Sequence, residues 1–472
     1  MKKILIISIT GLLLSLTSCY DGIMDIYPTD QITGEKVFGS EDAAEAALLG
    51  VYSRFAPGWY KYYIIDVEVY GNKDFNPGEK QGGLYALYTT HIFTPASVGF
   101  KAYKRLWAVI IYANNFLKNI DQTPFKDPVR KEQVIAEAKF LRALEYFNLV
   151  QLWGPVPLIT DSKDYGVMYP ANATVDEIYQ QIIDDLDYAA AHLPATAFNE
   201  EYARATKGAA QGILAKVLMT APDGLKNIQK GVELCDNVIN DYQYALLSNF
   251  DDLWDKENTY NSEQIFTAAF SDQGSANGID FSVYASHDFN PTKRFYNSFD
   301  KDSIVGGKSY TDKRKKSTVY YNRISRQLYD NKYRRAGKGT SPNHSNPNLY
   351  VLRLADIILL KAEGLNKIGY DASKNEIVDM INMVRDRAGA VPTTLTECKD
   401  QQSTALVIEE ERHKELFFEF QEFFDLKRNN RMIDVLGKNG ADLGLDNEYQ
   451  TLWPIPESEI NKNENLKQNP GY

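Results

Sequence analysis

The chain has 472 residues, a formal net charge of −11 at pH 7 and 44% hydrophobic residues. This length is ample for a large buried core, in one extended domain or two. The negative charge argues against nucleic acid as the main partner, because binding to phosphates needs an excess of Lys and Arg. The 31 tyrosines and 22 phenylalanines are a heavy aromatic load, and we expect some of these rings to be exposed for binding.

The N-terminus has the features of an export signal. Two lysines precede an apolar run over residues 4–16, which is too short to cross a membrane as a helix. The run ends in LTSC, residues 16–19, which resembles a bacterial lipobox, where cleavage precedes a cysteine that receives a diacylglycerol. We therefore predict a lipoprotein signal peptide at residues 1–18 and lipid attachment at Cys19. The alternative is an incidental cysteine in an ordinary signal peptide.

Helical periodicity predicts a mainly α fold. One capping box is Thr174-x-x-Glu177, and apolar residues follow it at helical spacing. A second is Ser373-x-x-Glu376, whose helix would end at Gly389. Further helix candidates are residues 103–120, 128–152, 206–220, 228–239, 353–368 and 404–429. Because they follow one another across short turns, the pattern predicts a tetratricopeptide-like helical-repeat scaffold.

Two regions do not follow the helical pattern. Residues 55–100 are rich in Gly, Tyr and Asn, and residues 271–348 are long and irregular, with β-like pieces such as STVYYNRI. Irregular stretches of this length are usually functional or disordered, and aromatic content argues against disorder. We interpret both regions as ordered loops on the helical scaffold.

Both irregular regions contain the residue types of a glycan site. Sugars present apolar faces and hydroxyl edges, so their sites combine flat aromatic rings with placed polar groups. The candidate ligand-binding residues are Trp59, Tyr60, Asn72, Asp74, Tyr85, Tyr88, Tyr284, His287, Arg294 and Tyr296. For each of them, a packing role is the open alternative.

The sequence contains no recognisable catalytic or metal-binding motif. The five histidines are scattered, and there is no H-E-x-x-H, G-x-S-x-G, C-x-x-C or phosphate-binding loop. We therefore expect no metal and no cofactor. The 63 acidic residues leave a glycosidase pair of carboxylates open. Cys235 and Cys398 are expected to be free thiols, with a disulfide between them as the alternative.

A series of short motifs follows one another along the chain. They are MDIYPTD, FGSEDAAEAALLGVY, AEAKFLRALEYFNLVQLWGPVPLIT, NPTKRFYNSF, DKR, YVLRLADIILLKAEGL, INMVRDRAGA, ERHKELFFEFQEFFDLKRNN, LWPIPESEI and QNPGY. In this order they resemble the SusD/RagB family, the lipidated surface proteins of outer-membrane nutrient-uptake systems in Bacteroidetes. The resemblance implies one SusD-like domain over residues 19–472, with an N-terminal part at about 19–220 and a C-terminal part at about 260–472.

The resemblance implies capture of a nutrient and no catalysis. The protein would be lipid-anchored in the outer membrane, face the cell exterior, and deliver an oligosaccharide to a SusC-like TonB-dependent transporter. A peptide ligand, as in the RagB branch, is the alternative within binding. A surface glycan-degrading enzyme and a purely structural helical-repeat adaptor are alternatives from other classes. The family builds its ligand surface from loops that correspond to the two irregular regions, but no single ligand residue carries over.

The family motifs are expected to be mostly architectural. The aromatic residues of segment 404–429 are too crowded on one helix to be anything but core; they are Phe417, Phe420, Phe423 and Phe424, with Leu426 beside them. The charges of the segment are expected to form ion pairs. The expected pairs are Glu419 with Arg428 or Arg412, and Asp425 with Lys427.

Residues 293–338 have an unusual charge for this acidic chain. The stretch contains 14 Lys and Arg residues against four Asp. It could attract an anionic glycan or dock on an acidic face of the transporter. The alternative is a solvated surface that acidic residues elsewhere balance.

Overall fold

The computed structural model describes most of the chain after residue 37. The described residues are 38–58, 65–77, 91, 93–96, 100–160, 169–196, 203–255, 258, 260–269, 279–280, 289–300, 303–332, 344–345, 348–437 and 444–472. The predicted signal peptide and Cys19 lie outside them. No helix of these described residues is long and apolar enough to cross a membrane.

Helices dominate the described residues. They are α1 (Glu41–Gly58), α2 (Ile65–Gly71), α3 (Phe100–Asn119), α4 (Pro128–Trp153), α5 (Val175–His192), α6 (Lys207–Thr220), α7 (Ile228–Asn240), α8 (Lys293–Ser298), α9 (Arg314–Thr318), α10 (Leu354–Ala388), α11 (Gln401–Leu416), α12 (Glu422–Arg428), α13 (Met432–Leu436) and α14 (Glu457–Ile460). The chain α1–α3–α4–α5–α6–α7–α10–α11 packs in series, each helix against the next. This arrangement confirms the mainly helical, tetratricopeptide-like prediction.

The strands form two-stranded antiparallel ladders. They are β1 (Phe75–Pro77), β2 (Gln264–Ala268), β3 (Ile279–Asp280), β4 (Phe289–Pro291), β5 (Ser303–Val305), β6 (Lys308–Tyr310), β7 (Val319–Asn322), β8 (Gln327–Asp330), β9 (His344–Ser345) and β10 (Leu349–Arg353). The pairs are β1 with β4, β2 with β10, β3 with β9, β5 with β6, and β7 with β8. The hairpin of β7 and β8 confirms the β-like piece STVYYNRI, and the pairing of β1 with β4 joins the two irregular regions.

One predicted capping box forms and the other does not. The Thr174 hydroxyl accepts a hydrogen bond from the Glu177 backbone N–H, and the Glu177 carboxylate accepts one from the Thr174 N–H, at the start of α5. Helix α10 is interrupted at Gly369, whose φ of −173° and ψ of 59° are not helical, which agrees with two predicted helices. The box at Ser373 does not form, because the second helical segment already includes this residue. The Glu376 carboxylate instead binds the Lys361 ammonium at 2.6 Å. Helix α10 ends as predicted at Gly389, whose φ of +71° is the left-handed conformation that glycine favours.

The predicted helix over residues 404–429 is divided into α11 and α12. Phe418 and Phe420, between the two helices, both have a φ of +64°. Their backbone N–H groups donate to the Glu68 carboxylate at 3.1 and 2.9 Å. Glu68 therefore replaces the helical hydrogen bonds that these N–H groups lose at the break. The core prediction is confirmed for Phe417, Phe420, Phe423 and Leu426, which are buried, whereas Phe424 is half-buried against the core. The prediction of a single helix is wrong.

One core joins the end of α4 to the C-terminal segment of the chain. Trp153 at the end of α4 and Trp453 near the C-terminus are both 1% exposed or less, and their rings meet edge to face at 5.3 Å. Asn469 donates to the backbone carbonyls of both tryptophans at 2.8 Å. Cys235 and Cys398 are buried and form no disulfide, which confirms the expectation of free thiols.

Candidate ligand-binding surface

The two irregular regions meet at the carboxylate of Asp74. This residue directly precedes β1, Thr292 directly follows β4 and Arg294 lies on the helix α8 that comes next, so the pairing of these strands brings them together. The Asp74 carboxylate accepts from the Thr292 hydroxyl and lies 2.8 Å from the Arg294 guanidinium. His413 of α11 adds its Nε2 atom at 2.9 Å. The loops and the helical scaffold therefore share one polar junction.

Asp74 and Asn72 are committed to this junction. Asp74 is 3% exposed; burial would raise its pKa, but the His413 and Thr292 hydrogen bonds and the Arg294 charge hold the pKa below its ordinary value. The Asn72 side chain, 6% exposed, donates to Glu68 at 3.0 Å and accepts from the Asp74 N–H at 2.9 Å. The packing alternative thus accounts for both candidates, and their polar atoms are used inside the protein.

Arg294 and Tyr296 lie at the surface on α8. The Thr292 hydroxyl caps this helix by accepting from the Phe295 N–H at 3.0 Å. The buried Phe295 ring stacks on Phe417 with 3.7 Å between the ring centroids, which anchors the helix to the core. The Arg294 side chain is 61% exposed and Tyr296 is half-buried. A rigid anchor therefore holds two candidate ligand residues at the surface.

A second tyrosine extends this surface. The ring of Tyr321 in β7 lies 6.5 Å from that of Tyr296, at an interplanar angle of 34°. Tyr321 is 42% exposed. The Lys315 ammonium lies 3.8 Å from the Tyr296 ring centroid and 2.5 Å from the Asp300 carboxylate. We call Tyr296 and Tyr321 the tyrosine platform, with Arg294 and Lys315 at its edge.

Tyr321 was missed among the sequence candidates. It lies in STVYYNRI, which was identified as β-like but not as part of the ligand surface. Alternation along a strand predicts that one of its two adjacent tyrosines faces outward, and this signal could have identified it. Six candidates lie outside the described residues: Trp59, Tyr60, Tyr85, Tyr88, Tyr284 and His287.

Glu419 has a structural role, but not with its predicted partners. Its carboxylate binds Arg353 at 2.6 Å and Lys332 at 2.7 Å, whereas Arg428 or Arg412 was expected. Arg353 also lies 2.7 Å from both Glu263 and Glu415. Arg387 and Arg314 bind carboxylates of the same cluster. We call the whole cluster the Arg353 network. Its members come from several family motifs, which are therefore architectural here.

Asp425 also binds other residues than predicted. Its carboxylate lies 2.6 Å from Arg412 and 2.8 Å from Arg428. Lys427, the expected partner, donates instead to the backbone carbonyls of Gln151 and Thr451. These carbonyls lie in the last turns of α4 and of the 3₁₀ helix Glu448–Thr451, where a cation is favourable. Arg428 lies three residues away on α12, whereas Arg412 lies on α11, so the partners of Asp425 come from its own helix and from a neighbouring one.

Metal coordination receives no support in the described part of the chain. There, no group of three or more His, Cys, Asp or Glu side chains is arranged to hold a metal ion. What the described surface does combine is exposed aromatic rings with cationic side chains.

Comparison with known proteins gives a consistent result. A family model described as "SusD family" matches residues 239–472, and one described as "Starch-binding associating with outer membrane" matches residues 80–219. A SusD-like protein of Formosa agariphila is 28% identical over the full length of both chains.

Solved structures share the fold. One is described as a laminarin-binding SusD-like protein; it has a TM-score of 0.76 and 23% identity, and the match covers 92% of this chain and 100% of the other. Another is a SusD superfamily protein from Parabacteroides distasonis, with a TM-score of 0.77, 23% identity, and coverage of 91% and 99%. With both family models matched in order and a relative aligned from end to end, the chain belongs to the SusD family.

Proposed function

We propose that this protein captures an oligosaccharide at the outer-membrane surface and delivers it to a SusC-like TonB-dependent transporter. The observation that carries the proposal is the tyrosine platform, two rings held at the surface by the anchored helix α8 and the strand β7. Rings of this kind can pack on the apolar faces of sugars, and in this proposal Arg294 and Lys315 donate their remaining N–H groups to sugar hydroxyl groups.

Two comparisons support a glycan as the ligand. The family model over residues 80–219 describes starch binding, and a solved structure of the same fold is described as laminarin-binding. Starch and laminarin are both glycans, so the shared chemistry is recognition of sugar rings. Which glycan this chain binds depends on its own surface.

The charges beside the platform favour capture over hydrolysis. A glycosidase needs two carboxylates that face each other across the scissile bond. Of the described carboxylates, Asp74 contacts Arg294 but is 3% exposed, and Asp300 is paired with Lys315. Neither is placed as a free acid or base in a cleft, so we propose that the protein has no catalytic activity.

We also propose that Cys19 carries the lipid anchor and that the domain faces the cell exterior. The support is the lipobox-like sequence LTSC and the family description of association with the outer membrane. Metabolic labelling with a fatty acid should mark the wild-type chain and not the Cys19→Ala variant. Equal labelling of both would overturn the attachment site.

A binding panel tests the ligand. The form lacking residues 1–19 is titrated with plant, host and microbial glycans and with peptides, and every sample is analysed for cleavage products. We expect an intact glycan to be retained, and Tyr321→Ala to weaken its binding at least tenfold. Tyr169→Ala is the matched control, because Tyr169 is 43% exposed and lies on a different segment. Binding of peptides alone, or cleaved glycan, would overturn the proposal.

A further inference from the structure

The tyrosine platform lies among exposed cations. The residues are Lys293 and Arg294 on α8, Lys313 and Lys316 at α9, and Arg323 and Arg326 in the turn between β7 and β8. Apart from Arg294, which binds Asp74, none of these side chains forms an ion pair with a described residue. Asp300, the exposed carboxylate in contact with the platform edge, is already paired with Lys315.

The fold places these cations on both sides of Tyr321. Helix α9 continues directly into β7, so Lys313 and Lys316 precede the strand and Arg323 follows it. Residues 319–323 span about 13 Å at the usual rise of a strand. The contact of Lys315 with Tyr296 ties α9 to α8 on the same surface. Exposed cations therefore lie on the segments that directly precede and follow the strand of Tyr321.

The arginines at the far end belong to an ordered turn. The Asn322 side chain accepts from the backbone N–H groups of Ile324 and Ser325 at 2.9 and 3.3 Å, which closes the turn. Arg326 has a φ of +57°, in the left-handed region, so the turn has a defined shape. Arg323 and Arg326 are thus exposed residues on an ordered turn, two and five residues after Tyr321.

This concentration of positive charge is unusual for the protein. The whole chain has a net charge of −11, yet residues 293–338 contain 14 Lys and Arg against four Asp. Two of these cations, Arg314 and Lys332, are buried and neutralised by carboxylates of the Arg353 network. The exposed cations have no such neutralisation within the described residues, so they create a local positive potential that attracts anions.

We propose that the glycan captured at the tyrosine platform is an acidic polysaccharide, whose sugar rings bear carboxylate or sulfate groups. The inference rests on the proposed function and adds its substrate class. The tyrosine rings pack on the apolar faces of the sugars, and the flanking lysines and arginines pair with the acidic groups. Arginine suits this role because its planar guanidinium binds carboxylate and sulfate oxygens in pairs.

The test compares acidic and neutral glycans on the form lacking residues 1–19. The probes are polygalacturonate and a sulfated galactan as acidic glycans, and a β-1,3-glucan and amylose as neutral ones, titrated by calorimetry at low and high salt. We expect at least tenfold tighter binding of one acidic probe than of either neutral probe, and a loss of this preference at high salt because exposed charges are screened.

A charge-neutralised variant sharpens the test. We expect Lys313→Gln, Lys316→Gln, Arg323→Gln and Arg326→Gln together to weaken acidic-glycan binding at least tenfold. The matched control removes four exposed lysines from other segments and should bind as the wild type does: Lys118→Gln, Lys374→Gln, Lys399→Gln and Lys467→Gln.

The outcomes separate this inference from the proposed function. Binding of neutral glycans alone, or acidic-glycan binding that the neutralised variant retains, would overturn the inference and leave glycan capture standing. Retention of no glycan at all would overturn both. The inference would also be overturned if the neutralised variant kept its acidic-glycan binding and lost only its association with a protein partner, since the cations would then serve docking.

Discussion

The Arg353 network and the surface around the tyrosine platform both contain lysines and arginines, but in opposite environments. Arg314 and Lys316 are two residues apart, yet the Arg314 side chain is 1% exposed and bound to Asp312, Glu411 and Glu415, whereas Lys316 is exposed and forms no ion pair with a described residue. Local sequence is almost the same for both. The difference shows that the buried and the exposed cations of a basic segment have to be distinguished before any of them is assigned to ligand binding.

The two environments differ in what a lost charge costs. A buried cation has given up its hydration, and its carboxylate partners offset that loss. Removing it leaves those carboxylates buried without a partner. An exposed cation keeps its water, so removing it changes stability little but changes the potential that an approaching anion meets.

The largest effect is expected from Arg353→Met. This substitution leaves Glu263, Glu415 and Glu419 with one cation fewer in a buried site. We expect the free energy of unfolding to fall by about 3–5 kcal/mol, measured by urea denaturation. A decrease of less than about 1 kcal/mol would mean that breaking the network costs no more than breaking a surface ion pair. The contrast between the buried network and the exposed cations would then be wrong.

A smaller effect on stability is expected from protonation of the Asp356 carboxylate at low pH. Burial opposes its charged form, but Lys216 and Arg412 outweigh burial and hold the pKa of Asp356 at about 2, below the ordinary 3.8. Because the pKa of Asp356 is lower in the folded state, its charge stabilises the folded protein at pH values above 3.8. This stabilisation is lost as the pH falls towards 2. We expect this group to contribute about 2 kcal/mol that disappears between about pH 4 and pH 2.

The Asp356→Asn variant isolates this contribution. It should be less stable than the wild type at pH 7, and the difference should shrink as the pH falls through this window. The measurement is the free energy of unfolding of both chains at several pH values between 2 and 7. Curves that stay parallel would show that the Asp356 charge is not what stabilises the site.

The smallest effect is expected from Lys316→Met. Because the side chain is exposed and has no ion pair among the described residues, the free energy of unfolding should change by no more than about 0.5 kcal/mol. The same urea denaturation as for Arg353→Met makes it the matched control. A destabilisation as large as that of Arg353→Met would show that the two regions do not differ in kind.

Sequence reasoning succeeded where the signal is local. The Thr174 capping box and the glycine that ends α10 depend on residues within a few positions, and both form. The same reasoning failed at Ser373, where the capping residues are present but Glu376 pairs with Lys361, which lies in the helical segment before the break at Gly369. It also failed at the break after α11, because the donors of that break are satisfied by Glu68, roughly 350 residues away along the chain.

The sequence by itself determined the helical scaffold, the aromatic core of the C-terminal motifs and the membership in the SusD family, because periodicity, capping and ordered motifs are properties of contiguous residues. Only the tertiary structure decided which charges are buried, which candidates lie inside and which face outward. Asp74 became a buried junction while Arg294 and Tyr321 remained exposed, since ion pairs and ring contacts depend on elements that strand pairing and helix packing bring together from distant parts of the chain.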